Sequence, residues 1–411
     1  MSLAQCRFCA GPLHDTFVDL GMSPLCESYV PAEAVNAMEP FYPLHVWVCR
    51  ECFLVQLEAY VAAAHIFDEY AYFSSYSTSW LRHAEDYTAM ISKRLGLGSN
   101  SLVVELASND GYLLQYFVKR GIPTLGIEPA ANVARAAEEK GVKTLVKYFD
   151  RDLGTALAAE GKPADLIIGN NVLAQVPDLN SFVAGIRALL KPTGTATLEF
   201  PHLQKLVDEN QFDTIYHEHF SYFSLVVVER IFGAHDMKIF DVEELWTHGG
   251  SLRIYACPAA DTSRPISQRV LDLRQREKDA GYLDLALYAR FEEQVRETKR
   301  KLLDLLITAK RQGKRICGYG APGKGNTLLN YCGIRCDFLD FTVDRNPYKQ
   351  GKFLPGTHIP ILAPSKIEEV RPDYVFILPW NFKDEIMNQL AHIREWSGKF
   401  IIPIPAAQIV A

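Results

Sequence analysis

The stretch Ser101–Gly121, SLVVELASNDGYLLQYFVKRG, decides the fold. An apolar run ends at the acid Glu105, a polar turn with Gly111 follows, and apolar residues then recur at helical spacing, so it reads strand, turn, helix. The same alternation extends on both sides. Upstream, TSWLRHAEDYTAMISKRLG predicts an amphipathic helix over 78–95. Downstream, IPTLGIEPA is a second strand ending in Glu128, followed by a helix through NVARAAEEKG. ADLIIGNNVLAQVPD is a third buried strand running into a loop, and LNSFVAGIRALLKPTG is a helix with a Pro-Gly stop. TATLEFPHL is the next strand, and MKIFDVEELW and GGSLRIYACP form two more joined by a short turn. Strands alternating with helices imply an α/β chain with a doubly wound parallel sheet, closed here by an antiparallel hairpin.

The chain has 411 residues, enough for two or three domains. Its formal charge of -6 and the lack of any dense Lys/Arg stripe argue against nucleic-acid binding. No apolar run reaches the ~18–20 residues that span a bilayer. The opening MSLAQCRFCA lacks the charged and apolar regions of a secretory leader, so a cytoplasmic chain is expected. Nine cysteines, an odd number unevenly placed, do not suggest a disulfide framework. Four of them form a pattern: Cys6-x-x-Cys9 and Cys49-x-x-Cys52, two short knuckles that offer four thiolates. Soft sulfur ligands in a closed tetrahedral set imply Zn²⁺ in a structural role. With no long apolar helix between the knuckles, metal binding is expected to supply much of the folding energy there.

Residues 270–312 read as a long charged helical region that packs between domains. Beyond it KRICGYGAPGKGNTLLNYCG repeats strand, glycine loop and helix; CDFLDFTVDRN, DYVFILPW and KFIIPIP add strands, giving a second, smaller Rossmann-like domain. Its loop is a formal G-x-G-x-x-G, Gly318 to Gly323, with Asp344 ending the next strand. That spacing suits a dinucleotide dehydrogenase. Pro322 stiffens the loop and Lys324 follows it, which suits instead a cradle of Gly318, Gly320, Gly323, Lys324 and Asn326 around the pyrophosphate of a nucleotide substrate. A glycine turn needed only for close packing is the third reading.

Residues 212–224, FDTIYHEHFSYFS, place two histidines, a glutamate and two tyrosines among phenylalanines. A general base in an aromatic pocket would have this composition. If the segment is extended, His217 and His219 share a face, so periodicity does not choose between them.

Together these pieces resemble, over essentially the full length, the S-adenosylmethionine-dependent sugar C-methyltransferases of antibiotic deoxysugar biosynthesis. The motifs that carry the resemblance are CRFC…CREC, FDEYAYFSSYS, VVELASNDGYLL, NNVLAQVPD, YHEHFSYFS, HGGSLR and GYGAPGKGN. The resemblance implies a class I methyltransferase core between an N-terminal zinc-binding domain and a C-terminal Rossmann-like domain. The corresponding boundaries are 1–75 for zinc, 76–262 for the core, 263–312 for a bridging helical segment and 313–411 for the sugar-nucleotide domain. The cofactor would lie on Glu105, Ala107, Asn109, Gly111, Glu128 and Asn170, with Glu128 placed for the ribose hydroxyls. The branch most alike methylates C-3 of a dTDP-linked 4-keto-2,3,6-trideoxy sugar, often bearing a 3-amino group. The family pattern places the base at His219, with Tyr216, Glu218 and Tyr76 close to the reacting sugar, and Tyr222, His248, Gly323, Lys324 and Asn326 as substrate contacts; Trp380 is a weaker candidate. One position departs from the pattern: Gln175 stands where the family has a histidine, and an amide does no proton chemistry near neutral pH. Methylation at C-5, an NAD-dependent sugar-nucleotide dehydrogenase and a non-catalytic zinc-stabilised module are the alternatives. A monomer is expected.

Overall fold

The computed structural model describes residues 4–62, 64, 66, 73–76 and 78–411. They form two compact units: Met1–His14, Cys49–His202 and Glu218–Leu283 make the first; Asp15–Val48, Leu203–His217 and Asp284–Ala411 make the second. Neither unit is a continuous stretch of chain. The strands in chain order are β1 (Asp15–Ser23), β2 (Tyr42–Val48), β3 (Val55–Leu57), β4 (Val103–Leu106), β5 (Thr124–Ile127), β6 (Thr144–Leu145), β7 (Ala164–Asn170), β8 (Leu190–Pro201), β9 (Ser221–Tyr222), β10 (Met237–Leu245), β11 (Ser251–Pro258), β12 (Ile316–Tyr319), β13 (Thr342–Val343), β14 (Ile361–Leu362), β15 (Tyr374–Ile377), β16 (Lys399–Ile402) and β17 (Gln408–Val410). Among the described residues no helix is long and apolar enough to cross a membrane.

The first unit holds a seven-stranded sheet in the order β10-β11-β8-β7-β4-β5-β6. β6, β5, β4, β7 and β8 pair in parallel, and β11 runs antiparallel to both β8 and β10. All of β4 and all but one residue of β7 are buried, as their mostly apolar sequences require of a sheet covered on both faces. This is the class I methyltransferase fold. The anticipated hairpin is present, and its second strand inserts between β8 and β10. The two-residue strand β6 escaped the sequence reading because it is too short to show a period.

The cysteine knuckles belong to this unit. The sulfurs of Cys6, Cys9, Cys49 and Cys52 all lie within 4.8 Å of one another, with Cys6–Cys52 and Cys9–Cys49 each at 3.5 Å. Four Zn–S bonds of about 2.3 Å put tetrahedral sulfurs roughly 3.8 Å apart, so the cluster fits that ion. The knuckles share one geometry: the Ala10 amide donates to the Cys6 carbonyl and the Phe53 amide to the Cys49 carbonyl, and both donors are left-handed. Hydrogen bonds with Cys49 and Cys52 lower the pKa of the Cys6 thiol, whose sulfur also accepts from the Gln56 side chain at 3.1 Å. Directly after the second knuckle, β3 pairs with β9, joining Val55 to Tyr222 and Gln56 to Ser221. The zinc knuckle therefore fixes the end of the histidine-rich segment.

The residues after β9 are fixed by a buried carboxylate. Glu277, on the helix Gln268–Ala280 and fully buried, accepts from the Leu225 and Val226 amides at 2.8 and 2.9 Å and from His202 Nε2 at 2.7 Å. It thus satisfies donors at the start of the helix Leu225–Gly233 that the chain's own Ser224 leaves open.

In the second unit β1 and β2 form an antiparallel hairpin, and the helix Leu285–Arg311 buries Tyr288, Phe291, Val295, Thr298, Leu302 and Leu306 at three- and four-residue steps. Phe17 of β1 stacks on Phe291 at 4.4 Å. A six-stranded sheet, β14-β13-β12-β15-β16-β17, is parallel except for its last strand. The charged region read as one helical stretch is two helices. Gly281, left-handed at φ 94°, ends the first, and Asp284 caps the second.

Two outcomes follow. Purified protein is expected to contain about one zinc per chain. A strong chelator, or Cys49→Ser, is expected to lower both the melting temperature and the activity, because β9 loses its partner; full activity in metal-free protein would contradict this. Glu277→Ala leaves three buried donors unpaired, an expected loss of about 3–5 kcal/mol, read as a large fall in melting temperature.

Candidate active site

The carboxyl ends of β4, β5 and β7 carry the residues assigned to the cofactor. Between Leu106 and Tyr112 the chain turns left-handed three times, at Ala107 (φ 54°), Asn109 (φ 48°) and Gly111 (φ 72°). Non-glycine residues at positive φ cost about 1–2 kcal/mol each, strain that marks functional loops. At Gly111 a Cβ would stand 3.0 Å from Val142 and 3.1 Å from Ala137, so only glycine fits. Glu128 organises this loop. It is buried, and its two oxygens accept from the Asn109 and Ala130 amides, both at 2.9 Å. Burial raises its pKa against those amides. Burial also drives the Glu105 carboxyl well above the ordinary carboxylate range. Asn170 ends β7 with its Nδ2 buried and unbonded among the described residues. A strained loop crowded to glycine, two buried acids and a spare amide donor together fit the methionine and ribose parts of S-adenosylmethionine.

The segment FSSY, residues 73–76, reaches this loop from outside. The Ser74 amide donates to Asn109 Oδ1 at 3.0 Å, and Lys140 Nζ bonds Ser75 Oγ at 2.6 Å and Asp110 Oδ2 at 3.0 Å. Tyr76, next in line, is 66 % exposed. The preceding part of the FDEYAYFSSYS motif, 67–72, and Ser77 lie outside the described residues.

A second cluster on the same unit escaped the sequence reading. Glu199 of β8, fully buried, accepts from His83 and Arg253 at 3.0 Å each and from the Thr247 hydroxyl at 2.7 Å. Burial opposes the charge, but the His83 hydrogen bond and the Arg253 cation outweigh it and hold the carboxyl at about 2. Trp80 stacks on His83 and meets His248 edge-on at 5.2 Å. His248 is itself left-handed, with Nε2 3.3 Å from Asn171 Nδ2. The signal was present: Glu199 and Arg253 are charges inside apolar strands and face each other in register. A charge in such a strand needs a buried partner.

The histidine-rich motif is divided between the units, the boundary falling between His217 and Glu218. In the second unit His217 is buried, donates from Nε2 to the Pro43 carbonyl at 3.1 Å and meets the edge of Tyr42. Burial lowers its pKa and favours the neutral ring, against the pull of its main-chain hydrogen bonds. In the first unit Glu218 and His219 are each 8 % exposed, and His219 packs edge-on to Tyr222 with ring centres 6.3 Å apart. Phe220 donates to the Ala174 carbonyl at 2.7 Å, beside Gln175 in the loop after β7.

The glycine loop of the second unit does not present the open cradle expected from its spacing. A Cβ on Gly323 would meet Cys26 Sγ at 2.9 Å, and Asn326 Nδ2 donates to the Cys26 carbonyl at 2.5 Å. The Ala321 amide is taken by Asp344, and the Ala321 carbonyl by Tyr29 and Lys349. Lys324 bonds Asn381 at 2.9 Å, its ammonium 4.7 Å from the Trp380 ring centre. Chain from the hairpin region thus lies where the phosphates of a dinucleotide would approach, which removes the dehydrogenase alternative's site.

Three family models match the chain: "Putative zinc binding domain" over residues 6–67, "Methyltransferase domain" over 80–241, and "C-methyltransferase C-terminal domain" over 246–405. The C-methyltransferase NovU of Streptomyces niveus is 34% identical over 410 residues, covering 99% of this chain and 97% of that protein. Among solved structures, a S-adenosylmethionine-dependent methyltransferase from Clostridium acetobutylicum matches at 12% identity and TM-score 0.36, covering 44% of this chain and 92% of that one. The glycopeptide N-methyltransferase MtfA matches at 13% and 0.35, covering 43% and 96%. Near-complete likeness to a C-methyltransferase, on a sheet and cysteine cluster of this kind, means that the chain belongs to the S-adenosylmethionine-dependent sugar C-methyltransferase family.

Proposed function

We propose that this enzyme methylates C-3 of a dTDP-linked 4-keto-2,3,6-trideoxy sugar, with His219 as the base. A ketone at C-4 acidifies the proton on the neighbouring carbon, so a base of near-neutral pKa is sufficient to remove it. Histidine meets that need, since its ordinary pKa of about 6.5 leaves it mostly neutral at pH 7. His219 takes the proton, and the electron pair of the broken C–H bond passes into the enolate. S-adenosylmethionine supplies an electrophilic sulfonium methyl. The new carbon–carbon bond forms as the sulfur–methyl bond breaks, and His219 returns its proton to solvent. The family pattern gives Tyr216 a place close to the reacting sugar and Glu218 the role of orienting or polarising it.

The observation that carries this reading is the setting of His219: nearly buried, edge-on to Tyr222, on a segment whose next residues are fixed by the β3–β9 ladder. His217 donates to the Pro43 carbonyl, and the choice of His219 over it rests on the family motif. The choice of C-3 and of a dTDP carrier rests on the family motifs. In D₂O with the keto sugar nucleotide, wild-type enzyme is expected to exchange the C-3 proton. His219→Asn is expected to lose that exchange and to lower methyl transfer by about 10²–10⁴-fold. A variant within tenfold of wild type would contradict His219 as base.

A further inference from the structure

The glycine loop of the second unit carries a lysine, as a phosphate-binding loop would, yet its neighbours lie elsewhere. Asp213 is fully buried three residues before Tyr216. Its Oδ2 accepts from Trp380 Nε1 at 2.7 Å, while Oδ1 has no hydrogen bond among the described residues. Lys324 is half-buried and is the cation that acts on this carboxylate. Asn381 and the face of Trp380 hold its ammonium in place.

The same surface grips the segment at two more points. The Thr327 hydroxyl donates to the Ile215 carbonyl at 2.9 Å, and Phe212 meets the edge of Tyr331 at 5.5 Å. Lys324, Thr327 and Tyr331 follow the three- and four-residue steps of one face of the helix Gly323–Cys332. In open parallel sheets ligands bind beyond the carboxyl ends of the strands, where the strand order reverses. In this sheet that position lies between β12, which leads into the loop of Lys324, and β15, which leads to Trp380. It is occupied by the chain's own Phe212–Ile215.

We infer that Lys324, Asp213 and Trp380 are positioning residues for the catalytic segment, and that the Rossmann-like loop is its mount and not a phosphate clamp. This rests on the reading of Tyr216–His219 as the catalytic segment. The buried Asp213 carboxylate takes the Trp380 indole donor, and the Lys324 ammonium lies over the face of that same ring, so the three together hold residue 213, and Tyr216 and His217 follow within four residues. Loss of the lock lets the segment drift, and a displacement of about 1 Å costs on the order of 100-fold in rate.

The test compares Lys324→Met, Asp213→Asn and the double variant in methyl transfer from labelled S-adenosylmethionine to the keto sugar nucleotide. Positioning predicts that each single variant loses about tenfold or more in kcat while KM for the sugar nucleotide stays within about threefold. The double variant should be no worse than the poorer single, because both break one lock. A phosphate clamp predicts the reverse for Lys324→Met, a raised KM at preserved kcat, and that result overturns the inference, as does no change in either constant. Circular dichroism and S-adenosylmethionine affinity establish that the variants are folded. If Lys324→Met is insoluble, Trp380→Phe, which removes only the indole donor, decides the matter on the same kcat-against-KM criterion. His219→Asn in the same panel keeps the two readings apart: an active His219→Asn enzyme sinks the catalytic assignment, whereas a KM effect at Lys324 sinks only the mount.

Discussion

Two fully buried carboxylates, one in each unit, hold chain on either side of the histidine-rich motif: Asp213 in the second unit and Glu277 in the first. Asp213 takes the Trp380 donor before Tyr216; Glu277 takes the Leu225 and Val226 amides just after Tyr222. A buried carboxylate is tolerated only when charge-assisted hydrogen bonds repay its desolvation, so each can occupy one arrangement and no other. Between them the β3–β9 ladder adds a third fixed point, held in turn by the cysteine knuckle. The zinc cluster, the helix after the glycine loop and the helix bearing Glu277 are far apart in sequence. Within the first unit the cysteine knuckle and Glu277 hold the chain from Ser221 to Val226; within the second the helix Gly323–Cys332 holds Phe212–Ile215.

The cofactor side follows the same logic on a smaller scale. Glu128 ties the strained loop to the start of the next helix through two amides, so the positive φ angles at Ala107 and Asn109 are held by the carboxylate and do not relax. Lys140 and Ser74 then bring the FSSY segment onto that loop. Strain at the carboxyl ends of β4 and β5 is offset by the regular, fully buried sheet behind them.

The sheet was legible because its central strands are mostly apolar and its turns carry glycine and acid at strand ends; that pattern has one economical fold. The zinc ligands were legible from spacing alone. Less accessible were features whose partners are distant in sequence. Nothing within FDTIYHEH indicates that Asp213 would face Trp380, and GAPGKGN reads as a phosphate loop because local spacing cannot show that Cys26 fills its mouth. His83 looked like an ordinary residue of an amphipathic helix, and only the charge of Glu199 within an apolar strand gave a clue. The very short strands β6 and β14 fall below the length at which periodicity exists.

The central claim is that a carbon beside a ketone is the methyl acceptor. The direct measurement is incubation with ¹³C-methyl-labelled S-adenosylmethionine and a dTDP-4-keto-2,3,6-trideoxy sugar, followed by NMR of the product. A labelled methyl carbon bonded to C-3, with S-adenosylhomocysteine formed in equal amount, is the predicted result. Label on oxygen or nitrogen would contradict C-methylation itself, and label on C-5 would contradict the assigned position.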